Sequence, residues 1–515
     1  MEDADSFGTE PFWLRQPRRA FGPLDEDLTN VDVCIVGAGI AGLTTGYVAA
    51  TAGRRVVVID DGAIGSGETG RTTAHLSNAL DDRYCQLERM HGPDGSRLAA
   101  ESHTAAIDLI EQIVKRESID CDFERVDGHL VISAGESPDL LDIELAAAHR
   151  AGLKHVRRLP AAPGFHHSGP CLRFPRQAQF HPVKYLNALA AALHRMGGRV
   201  YTGTHAESVE DGAPVTIKTD RDHTIHAETG VVATNTPINE LVAIHTKQSA
   251  YRTYVVGFEV ASGAVPRALY WDTLDPYHYA RIAGALTART ELLIVGGEDH
   301  KTGQADDAEL RVGALEQWAR LHFPVQSRAC VWSGQVMEPA DGLAFIGKEP
   351  GEKHLYVVTG DSGNGMTHGT LAGILLNDLI AGRENPWSGL YDPLRKPPLR
   401  AIKEYGRENL NVAARYADWL TRGEVESTDA IVNESGAIVR QGLRKLAAFR
   451  DALGELHVCD ATCPHLGCVV QWNHLEHSWD CPCHGSRFDP YGRVINGPAN
   501  SDLAAEEKIA QRAQP

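Results

Sequence analysis

Residues 31–60 alternate between apolar runs and small residues, a pattern that predicts two strands joined by a helix. Residues 31–36 are almost wholly apolar, which is typical of a strand buried in a parallel sheet. A helix of small residues is predicted to continue to about Ala52, and residues 55–59 form a second apolar strand that ends at Asp60. The turn between the first strand and the helix reads Gly37-Ala38-Gly39-Ile40-Ala41-Gly42.

Strand, glycine turn, helix and second strand together form a dinucleotide-binding pattern. Gly37 permits the tight turn, Gly39 lets backbone N–H groups approach a pyrophosphate, and Gly42 lets the helix pack on the strand. The helix N-terminus directs its partial positive charge toward the phosphates. Asp60 lies eighteen residues after Gly42, where it can bond ribose hydroxyls. The residues predicted to contact the dinucleotide are Gly37, Gly39, Ile40, Ala41, Gly42, Asp60 and Asp61.

A second glycine-rich turn late in the chain indicates which dinucleotide is bound. Residues 355–359 read as a strand, and a helix is predicted to start near residue 370. The turn between them resembles the closing flavin loop of the glycine/D-amino-acid-oxidase-like (DAO) flavoproteins, and the resemblance covers roughly residues 31–385. It implies FAD as the cofactor, with contacts from Gly360, Gly363, Asn364, Gly365, Met366 and Thr367. No second fingerprint for a nicotinamide is present in the sequence.

The loop at residues 65–75 follows the second strand, where the resembled family wraps a loop around the flavin. Arg71, Thr72 and Thr73 could donate hydrogen bonds to the pyrophosphate or the ring. Some relatives attach the flavin covalently through a histidine of this loop, so His75 is either an attachment point or an ordinary loop histidine. The local pattern differs from that of those relatives.

Two Cys-His groups near the C-terminus carry the second candidate chemistry. They read Cys463-Pro464-His465-Leu466-Gly467-Cys468 and Cys481-Pro482-Cys483-His484-Gly485-Ser486. A tetrahedral zinc site and a plain disulfide pair are alternative interpretations, but zinc gives no reason for the two extra cysteines. The groups resemble the Rieske family, in which two cysteines and two histidines hold a [2Fe–2S] cluster. The resemblance implies that Cys463, His465, Cys481 and His484 are the ligands and that Cys468 and Cys483 form a disulfide.

Three further positions belong to the surroundings of this cluster. Ser486 stands where the respiratory branch of the Rieske family supplies a hydroxyl donor to the cluster, and such donors raise the reduction potential. The same branch usually has a tyrosine two residues later, and here that position is Phe488, which has no donor. Pro498 lies in a segment that resembles the proline loop covering the cluster, although a simple Gly-Pro turn would have the same sequence.

Composition and charge narrow the choice of partners. The chain has 515 residues and a net charge of −18, which argues against nucleic acid or an anionic membrane as a partner. A basic electron-transfer partner would suit that charge, although many acidic proteins have no such partner. No apolar run reaches the length of a membrane span. Five of the ten cysteines lie within residues 459–483 and the others are scattered singly, which favours a cytoplasmic location.

The whole chain resembles FAD-dependent oxidoreductases that carry a C-terminal Rieske domain. The expected fold is an α/β Rossmann-type FAD-binding domain with an inserted α+β substrate domain, followed by a small all-β Rieske domain. The expected segments are an arm at 1–30, the flavoprotein at 31–385, a linker with a helix at 386–425 and the Rieske domain at 426–515. Within the flavoprotein, the Rossmann parts are 31–79, 151–239 and 331–385, and the substrate parts are 80–150 and 240–330.

The substrate site is the least defined part of the sequence. Arg252, Tyr277, Tyr279 and Arg281 mix aromatic and cationic groups at strand-like spacing, and alternation would place the last three on one face. An arginine there could clamp a substrate carboxylate, or the tyrosines could be core residues and the arginine an edge cap. Residues 298–301 are expected to form a solvated turn.

Two functions remain compatible with these features. The first is a flavin dehydrogenase that oxidises the C–N bond of an amine or amino acid and passes electrons through the cluster to an external acceptor. The second is a redox-sensing or electron-distributing protein without a small-molecule substrate of its own. A Rieske oxygenase would need a site of two histidines and a carboxylate for mononuclear iron, and the sequence has no suitable pattern.

Overall fold

The computed structural model describes residues 9–238, 242–398 and 400–505. Its α-helices are α1 (Ile40–Thr51), α2 (Arg83–Glu117), α3 (Asp139–Arg150), α4 (Pro182–Arg195), α5 (Val242–His245), α6 (Ala308–His322), α7 (Gly365–Ile380), α8 (Ser388–Tyr391) and α9 (Ile402–Arg415). Short 3-10 helices span Phe12–Arg15, Glu68–Gly70, Tyr416–Leu420 and Thr428–Ala430. None of the described helices is both long and apolar enough to cross a membrane.

The strands form four sheets. In chain order they are β1 (Leu28–Val36), β2 (Val56–Asp60), β3 (His75–Leu76), β4 (Glu124–Val131), β5 (Arg157–Leu159), β6 (Cys171–Gln179), β7 (Arg199–Thr202), β8 (Ala206–Glu210), β9 (Val215–Thr219), β10 (Thr224–Val232), β11 (Gln248–Ala261), β12 (Leu269–Asp272), β13 (His278–Ala285), β14 (Thr290–Lys301), β15 (Arg328–Pro339), β16 (Phe345–Lys348), β17 (Leu355–Thr359), β18 (Ser435–Gln441), β19 (Arg444–Arg450), β20 (Leu456–Asp460), β21 (Gln471–Asn473), β22 (Ser478–Asp480), β23 (Arg487–Phe488) and β24 (Val494–Asn496).

The first sheet has a parallel centre that holds the glycine turn. Its main order is β16-β17-β10-β1-β2-β7, and β17, β10, β1, β2 and β7 run parallel. The central strand β1 is buried at Val33, Cys34 and Ile35 because strands pair on both of its sides and helices cover the sheet. The carboxyl ends of β1 and β2 therefore meet at one edge, where open α/β sheets bind their ligands.

The second sheet is mainly antiparallel and has the order β15-β11-β14-β13-β12-β4-β6-β3. It contains residues 171–179 and 331–339, which the predicted division places in the Rossmann parts. The difference arises because β6 pairs with β4 and β15 pairs with β11, both far away in sequence. An apolar run has the same appearance in either sheet, so only the long-range pairing assigns it.

Helices α1 and α7 lie side by side against the first sheet, held together by small residues. A Cβ on Gly369 would lie 3.1 Å from the Ala41 nitrogen, and a Cβ on Gly373 would lie 2.9 Å from the Thr44 methyl. Helix α7 begins at Gly365, five residues before the predicted start. Glycines normally mark a turn, but here they permit close helix packing, and the tertiary contact outweighs their low helix propensity.

The C-terminal module consists of a three-stranded sheet, β18-β19-β20, and a four-stranded sheet, β21-β22-β23-β24. Helix α9 and the following 3-10 helix reach it from the flavoprotein part. Tyr416 donates to the Leu466 carbonyl at 2.7 Å, and Trp419 donates to the Gly467 carbonyl at 3.0 Å. The linker helix therefore ends against the first Cys-His loop.

Candidate active site and iron–sulfur centre

A cavity of about 940 Å³ opens where the carboxyl ends of the first sheet meet the second sheet and the C-terminal module. The glycine turn, the closing loop before α7 and strands β11 and β13 all contribute to its walls. Of the predicted dinucleotide contacts, the lining includes Gly37, Gly39, Ile40, Ala41, Asp60, Asp61, Arg71, Thr72, Thr73, Gly363, Asn364, Gly365 and Met366. Gly42, Gly360 and Thr367 lie behind this surface.

The glycine turn has the close backbone approaches that a dinucleotide site needs. Gly37 has a φ of +112°, and a Cβ there would lie 2.4 Å from the Ala233 carbonyl oxygen. A Cβ on Gly42 would lie 1.8 Å from the Gly37 oxygen, so α1 can pack on the turn only with glycine at this position. Thr69 Oγ1 accepts from the Ile40 N–H at 3.2 Å, and a Cβ on Gly39 would lie 3.0 Å from the same oxygen. This geometry fits a bound pyrophosphate.

Asp60 is bonded to the turn itself. Its two carboxylate oxygens accept from the Ala38 N–H at 2.6 Å and from the Gly62 N–H at 2.8 Å. Burial raises the pKa of Asp60 to about 6, and the neighbouring Asp61 carboxylate acts in the same direction, while the two N–H donors oppose it. Asp60 therefore braces the turn and still lines the cavity beside Asp61.

The closing loop brings a second helix N-terminus to the cavity. Gly360 and Gly363 have φ values of +74° and +69°, a left-handed conformation that favours glycine. Met366 and His368 in the first turn of α7 line the cavity. Since α1 and α7 both begin here, their N-terminal partial charges favour an anionic ligand from two sides.

The loop at residues 65–75 lines the cavity and also contacts the C-terminal module. Thr72, Thr73 and His75 line the cavity. Arg71 also lines it, but its guanidinium donates to the Ser333 carbonyl at 3.0 Å and to Glu476 Oε2 at 2.9 Å. Arg71 thus joins the flavoprotein part to the C-terminal module. Burial lowers the pKa of His75 to about 3, helped by the Arg281 charge, so this imidazole is neutral.

The four substrate-site candidates separate into two pairs. Tyr277 and Tyr279 line the cavity with ring centroids 5.4 Å apart. Arg281 does not, because its guanidinium donates to the carbonyls of Thr73 at 2.6 Å and Phe180 at 3.1 Å. Arg252 lies behind the wall and donates to Ser333 Oγ. Tyr279 and Arg281 are two residues apart on β13, but the carbonyls that hold the Arg281 guanidinium keep it out of the cavity lining.

Three carboxylates that sequence analysis missed face the same cavity: Asp81, Asp299 and Asp361. Tyr277 donates to Asp81 Oδ2 at 2.7 Å. Burial raises the pKa of Asp81 to about 7, opposed by the Tyr277 hydrogen bond and reinforced by neighbouring carboxylates. The expectation of a solvated turn at residues 298–301 is wrong, because β14 continues through Lys301 and presents Asp299 to the cavity. Asp81 and Asp299 belong to no recognisable motif, and Asp361 lies within the closing loop between Gly360 and Gly363.

The two Cys-His loops converge in the C-terminal module. The thiols of Cys463 and Cys481 are within hydrogen-bonding reach of each other, and the rings of His465 and His484 lie 5.0 Å apart. Cys468 and Cys483 form a disulfide that ties the loops together. His484 Nδ1 is enclosed and has no hydrogen-bond partner among the described residues. Two thiols and two imidazoles with an unsatisfied ring nitrogen fit a cluster held by two cysteines and two histidines.

The surrounding residues enclose this site. Ser486 is fully buried, reaches the Cys463 sulfur and accepts a hydrogen bond from the Ala499 N–H at 3.0 Å. Phe488 is also fully buried and packs in the core of the module. Pro498 directly precedes Ala499 in the loop that contacts Ser486.

The cluster site and the cavity are neighbours. Gln335 on β15 lines the cavity, and its side-chain amide donates at 2.9 Å to the carbonyl of Gly485, the residue after His484. His245 of the flavoprotein part lies against both predicted imidazole ligands, with ring centroids 4.8 Å from His465 and 6.0 Å from His484. Gln335 therefore connects the cavity wall to the second Cys-His loop.

Sequence comparisons agree with this geometry. A family profile described as FAD dependent oxidoreductase (DAO) matches residues 32–379, more than half of the chain. The chain belongs to the DAO family of FAD-dependent oxidoreductases. A second profile, described as a Rieske [2Fe-2S] domain, matches residues 422–507. The DAO domain binds FAD, and the Rieske domain binds a [2Fe–2S] cluster.

Relatives share both parts or the DAO part alone. A Bacillus subtilis protein named as a Rieske 2Fe-2S iron-sulfur protein, YhfW, is 33% identical and is covered over 94% of both chains. Gamma-glutamylputrescine oxidoreductase of Escherichia coli is 26% identical over 70% of this chain and 86% of its own length. The glycine oxidase structure from Geobacillus kaustophilus has a TM-score of 0.58 and 21% identity, covering 71% of this chain and 99% of that one. This last likeness shows the DAO fold.

The helix-packing glycine of the DAO domain gives a direct test of the FAD site. We expect Gly42→Ala to lower the free energy of unfolding by about 1–3 kcal/mol, the usual cost of overpacking, because the new Cβ would overlap the Gly37 oxygen. The FAD bound per protein should also fall, measured by flavin absorbance after gel filtration. Gly313→Ala in α6 is the matched control, since no atom lies within 4 Å of a Cβ there. Equal FAD content in both variants would contradict the assignment.

Proposed function

We propose that this protein is a flavin dehydrogenase that oxidises the C–N bond of an amine and passes the electrons through its Rieske cluster to an external acceptor. The observation that carries the proposal is Gln335, which lines the FAD cavity and is hydrogen-bonded to the loop of the predicted ligand His484. Bound FAD supplies a two-electron acceptor, and the bound cluster supplies a one-electron carrier.

The contacts of Gln335 fix the cavity wall relative to the second Cys-His loop. Its backbone N–H donates to Glu68 Oε2 at 2.6 Å, and its side-chain oxygen accepts from Thr302 at 3.1 Å. Its side-chain nitrogen donates to the Gly485 carbonyl, so the backbone N–H and both polar atoms of the side chain are hydrogen-bonded. The residue is only 2% exposed. A side chain fixed in this way supports a constant separation between the cavity and the cluster site.

The charges of the cavity favour a cationic amine over an amino acid. Asp81, Asp299 and Asp361 line it, whereas the cation Arg71 is already paired with Glu476. A substrate carboxylate would meet these negative groups without an arginine to bind it, since Arg252 and Arg281 lie outside the lining. A protonated amine would gain charge-assisted hydrogen bonds from the same carboxylates.

The walls around these carboxylates suit an amine with an apolar portion. Tyr277, Tyr279 and Trp271 line the cavity, and aromatic rings attract both cations and hydrocarbon groups. Tyr279 shares a hydrogen bond with Thr253 at 3.0 Å, which fixes its ring. An amine must be uncharged at the reacting nitrogen before it loses electrons, and a carboxylate with a pKa near 7, such as Asp81, is suited to accept that proton.

The proposal is tested by mixing the FAD- and cluster-loaded protein anaerobically with a panel of amines and amino acids. Flavin bleaching is followed optically, and the reduced cluster by electron paramagnetic resonance. Bleaching by an amine together with the cluster signal is the expected result. If no compound bleaches the flavin while a chemical reductant still produces the cluster spectrum, the chain is an electron-distributing protein instead.

Asp81 should control how tightly an amine binds. We expect Asp81→Asn to raise the KM for a reactive amine about tenfold, the loss of one charge-assisted hydrogen bond. The wild-type KM should fall as the pH rises through about 7, because Asp81 loses its proton there and the carboxylate then attracts the cation. The variant should lack this pH dependence. Steady-state kinetics between pH 5.5 and about 8.5 provides the measurement.

Two matched variants complete this test. Asp94→Asn removes an acid whose side chain is 95% exposed, and it should leave KM unchanged. Tyr277→Phe removes only the donor to Asp81 and should change KM less than Asp81→Asn does. An Asp81→Asn enzyme with the wild-type KM and pH profile would show that the ammonium binds elsewhere.

A further inference from the structure

The loop that follows β24 in the Rieske domain runs along the FAD cavity. We call residues 497–502 the closing segment, which is distinct from the closing loop before α7. Residues of β24 and of this segment form part of the cavity lining, namely Val494, Ile495, Asn496, Gly497, Ala499, Asn500, Ser501 and Asp502. The cavity predicted to hold FAD is therefore bounded by a domain that is not part of the DAO fold.

Side-chain amides join this loop to the DAO domain at two places. Asn496 Nδ2 donates to Glu68 Oε1 at 2.7 Å. Asn500 Nδ2 donates to the carbonyls of Ala206 at 2.9 Å and Glu207 at 3.0 Å. The Asn500 carbonyl in turn pairs with the His205 ring at 3.3 Å. Four hydrogen bonds thus hold the loop across the cavity.

The other side of the closing segment is anchored on the cluster loops. Ala499, which is 2% exposed, donates its N–H to the fully buried Ser486 hydroxyl at 3.0 Å. Ser486 reaches the sulfur of Cys463, one of the predicted ligands. The closing segment is therefore held between the two cofactor sites rather than lying as a free surface loop.

Position along the cavity indicates which part of FAD the closing segment faces. Asp60 is the predicted partner of the ribose, and the neighbouring Asp61 has a carboxylate 3.5 Å from the His205 ring. His205 also contacts Asn500, so the closing segment lies on the ribose side of the cavity. The closing loop before α7, predicted to contact the flavin ring, contributes a separate part of the lining.

We propose that the closing segment of the Rieske domain is part of the FAD-binding site and covers the nucleotide portion of the cofactor, so that FAD leaves only when this segment moves away. Asn496 and Asn500 are positioning residues that hold it closed. The proposal concerns retention of the cofactor and does not depend on which substrate the enzyme oxidises.

Release of FAD from the full-length protein tests this role. Asn496→Ala and Asn500→Ala are combined, and the rise of free-flavin fluorescence is followed after a large dilution into flavin-free buffer. We expect release at least about tenfold faster than in the wild type, since three side-chain hydrogen bonds are removed. Asn433→Ala is the control, because this turn asparagine of the same domain bonds only within the domain, to the Ala452 carbonyl. Equal release rates in all three proteins would overturn the proposal.

A second measurement needs no substitution. Hydrogen exchange of the backbone amides in residues 494–503 is compared in the wild-type protein with and without FAD, with the cluster loaded in both samples. The proposal predicts slower exchange when FAD is bound, and residues 444–450 of the same domain should show no change. If exchange at 494–503 is the same with and without FAD, the closing segment does not respond to the cofactor and is not part of its site.

Discussion

Replacing Cys481 with serine should leave reduction of the flavin by substrate unchanged and strongly slow electron delivery to a one-electron acceptor. Cys481 is 2% exposed and lies against Cys463. As a proposed ligand it would hold iron through its thiolate, for which a hydroxyl is a poor substitute. We expect turnover with ferricyanide to fall about 100-fold or more, since even the groups surrounding metal ligands contribute up to about that factor. Stopped-flow absorbance separates the two half-reactions.

Cys459→Ser is the matched control for this prediction. Cys459 is a buried cysteine of the same domain, 6% exposed, whose thiol faces the Tyr491 carbonyl at 3.4 Å and not the cluster loops. It should keep both the cluster spectrum and turnover. If Cys481→Ser loses the cluster spectrum but ferricyanide turnover remains at the wild-type rate, electrons leave the flavin directly and the cluster is not in the path.

Glu476→Ala should produce the second large effect, separating the Rieske domain from the flavoprotein part. Glu476 lies in the turn between β21 and β22 and accepts from the Ser333 N–H at 2.9 Å and the Ser333 hydroxyl at 2.7 Å. Arg71 bonds its other oxygen, and Arg252 and Arg487 lie 3.8 Å away. Truncating one member of such a buried network costs about 3–5 kcal/mol, because the partner charges remain buried without compensation.

Electron transfer between the cofactors should slow with the loss of this contact. Ser333 lies two residues before Gln335, so a shift of the β21–β22 turn also moves the Gly485 carbonyl away from its donor. We expect the flavin-to-cluster rate, measured after flash photoreduction with 5-deazaflavin, to fall about tenfold or more, in line with the effect of small misplacements at reaction centres. Photoreduction makes this measurement independent of the substrate.

Because Glu476 is charged, the stability of the contact between the two domains should depend on pH. Burial alone would raise its pKa, but Arg71, Arg252 and Arg487 together with the Ser333 hydroxyl hold it at about 2. Because the pKa in the folded state is below the unfolded value of about 4.3, the stabilisation is complete above that value and is lost as the pH falls toward 2. Glu476→Gln keeps an acceptor for the Ser333 N–H and should remove this part of the acid dependence.

Controls distinguish a lost contact from general damage. Glu455→Ala removes an exposed acid of the same domain and should change neither the unfolding midpoint nor the electron-transfer rate. Hydrogen exchange across residues 328–339 should rise in Glu476→Ala, since the Ser333 N–H loses its acceptor. Unchanged exchange and an unchanged internal rate in Glu476→Ala would show that the domains are held together by other contacts.

Motifs with a local geometric cause were predictable in detail. The strand, turn and helix around Gly37 and Gly42 depend on backbone space that only glycine leaves, and the structure has β1, α1 and β2 close to their predicted bounds. The Cys468–Cys483 disulfide, implied by the Rieske resemblance, is present. The turn could be predicted because its strand, glycines and helix lie in one short stretch of sequence, whereas the disulfide was predicted from the resemblance to the Rieske family.

Residues whose role depends on distant partners were not predictable. Arg71 lies in a loop that resembles a flavin-binding loop, yet its guanidinium contacts Glu476, 405 positions later in the chain. Arg252 and Arg281 fit a carboxylate clamp by spacing, but each donates hydrogen bonds behind the cavity wall. Asp81 and Asp299 belong to no motif and meet only because a loop and a strand of the second sheet face one cavity.

The sequence by itself determined the fold class and the two cofactors: the glycine turn indicated a dinucleotide through its local geometry, and resemblance to known families implied FAD and the [2Fe–2S] cluster. Only the tertiary structure decided where the Rieske domain lies, which side chains line the cavity, and that the cavity is acidic rather than arginine-lined. The physical reason is that burial, charge and hydrogen-bond partners depend on contacts between segments hundreds of residues apart, and no local pattern specifies them.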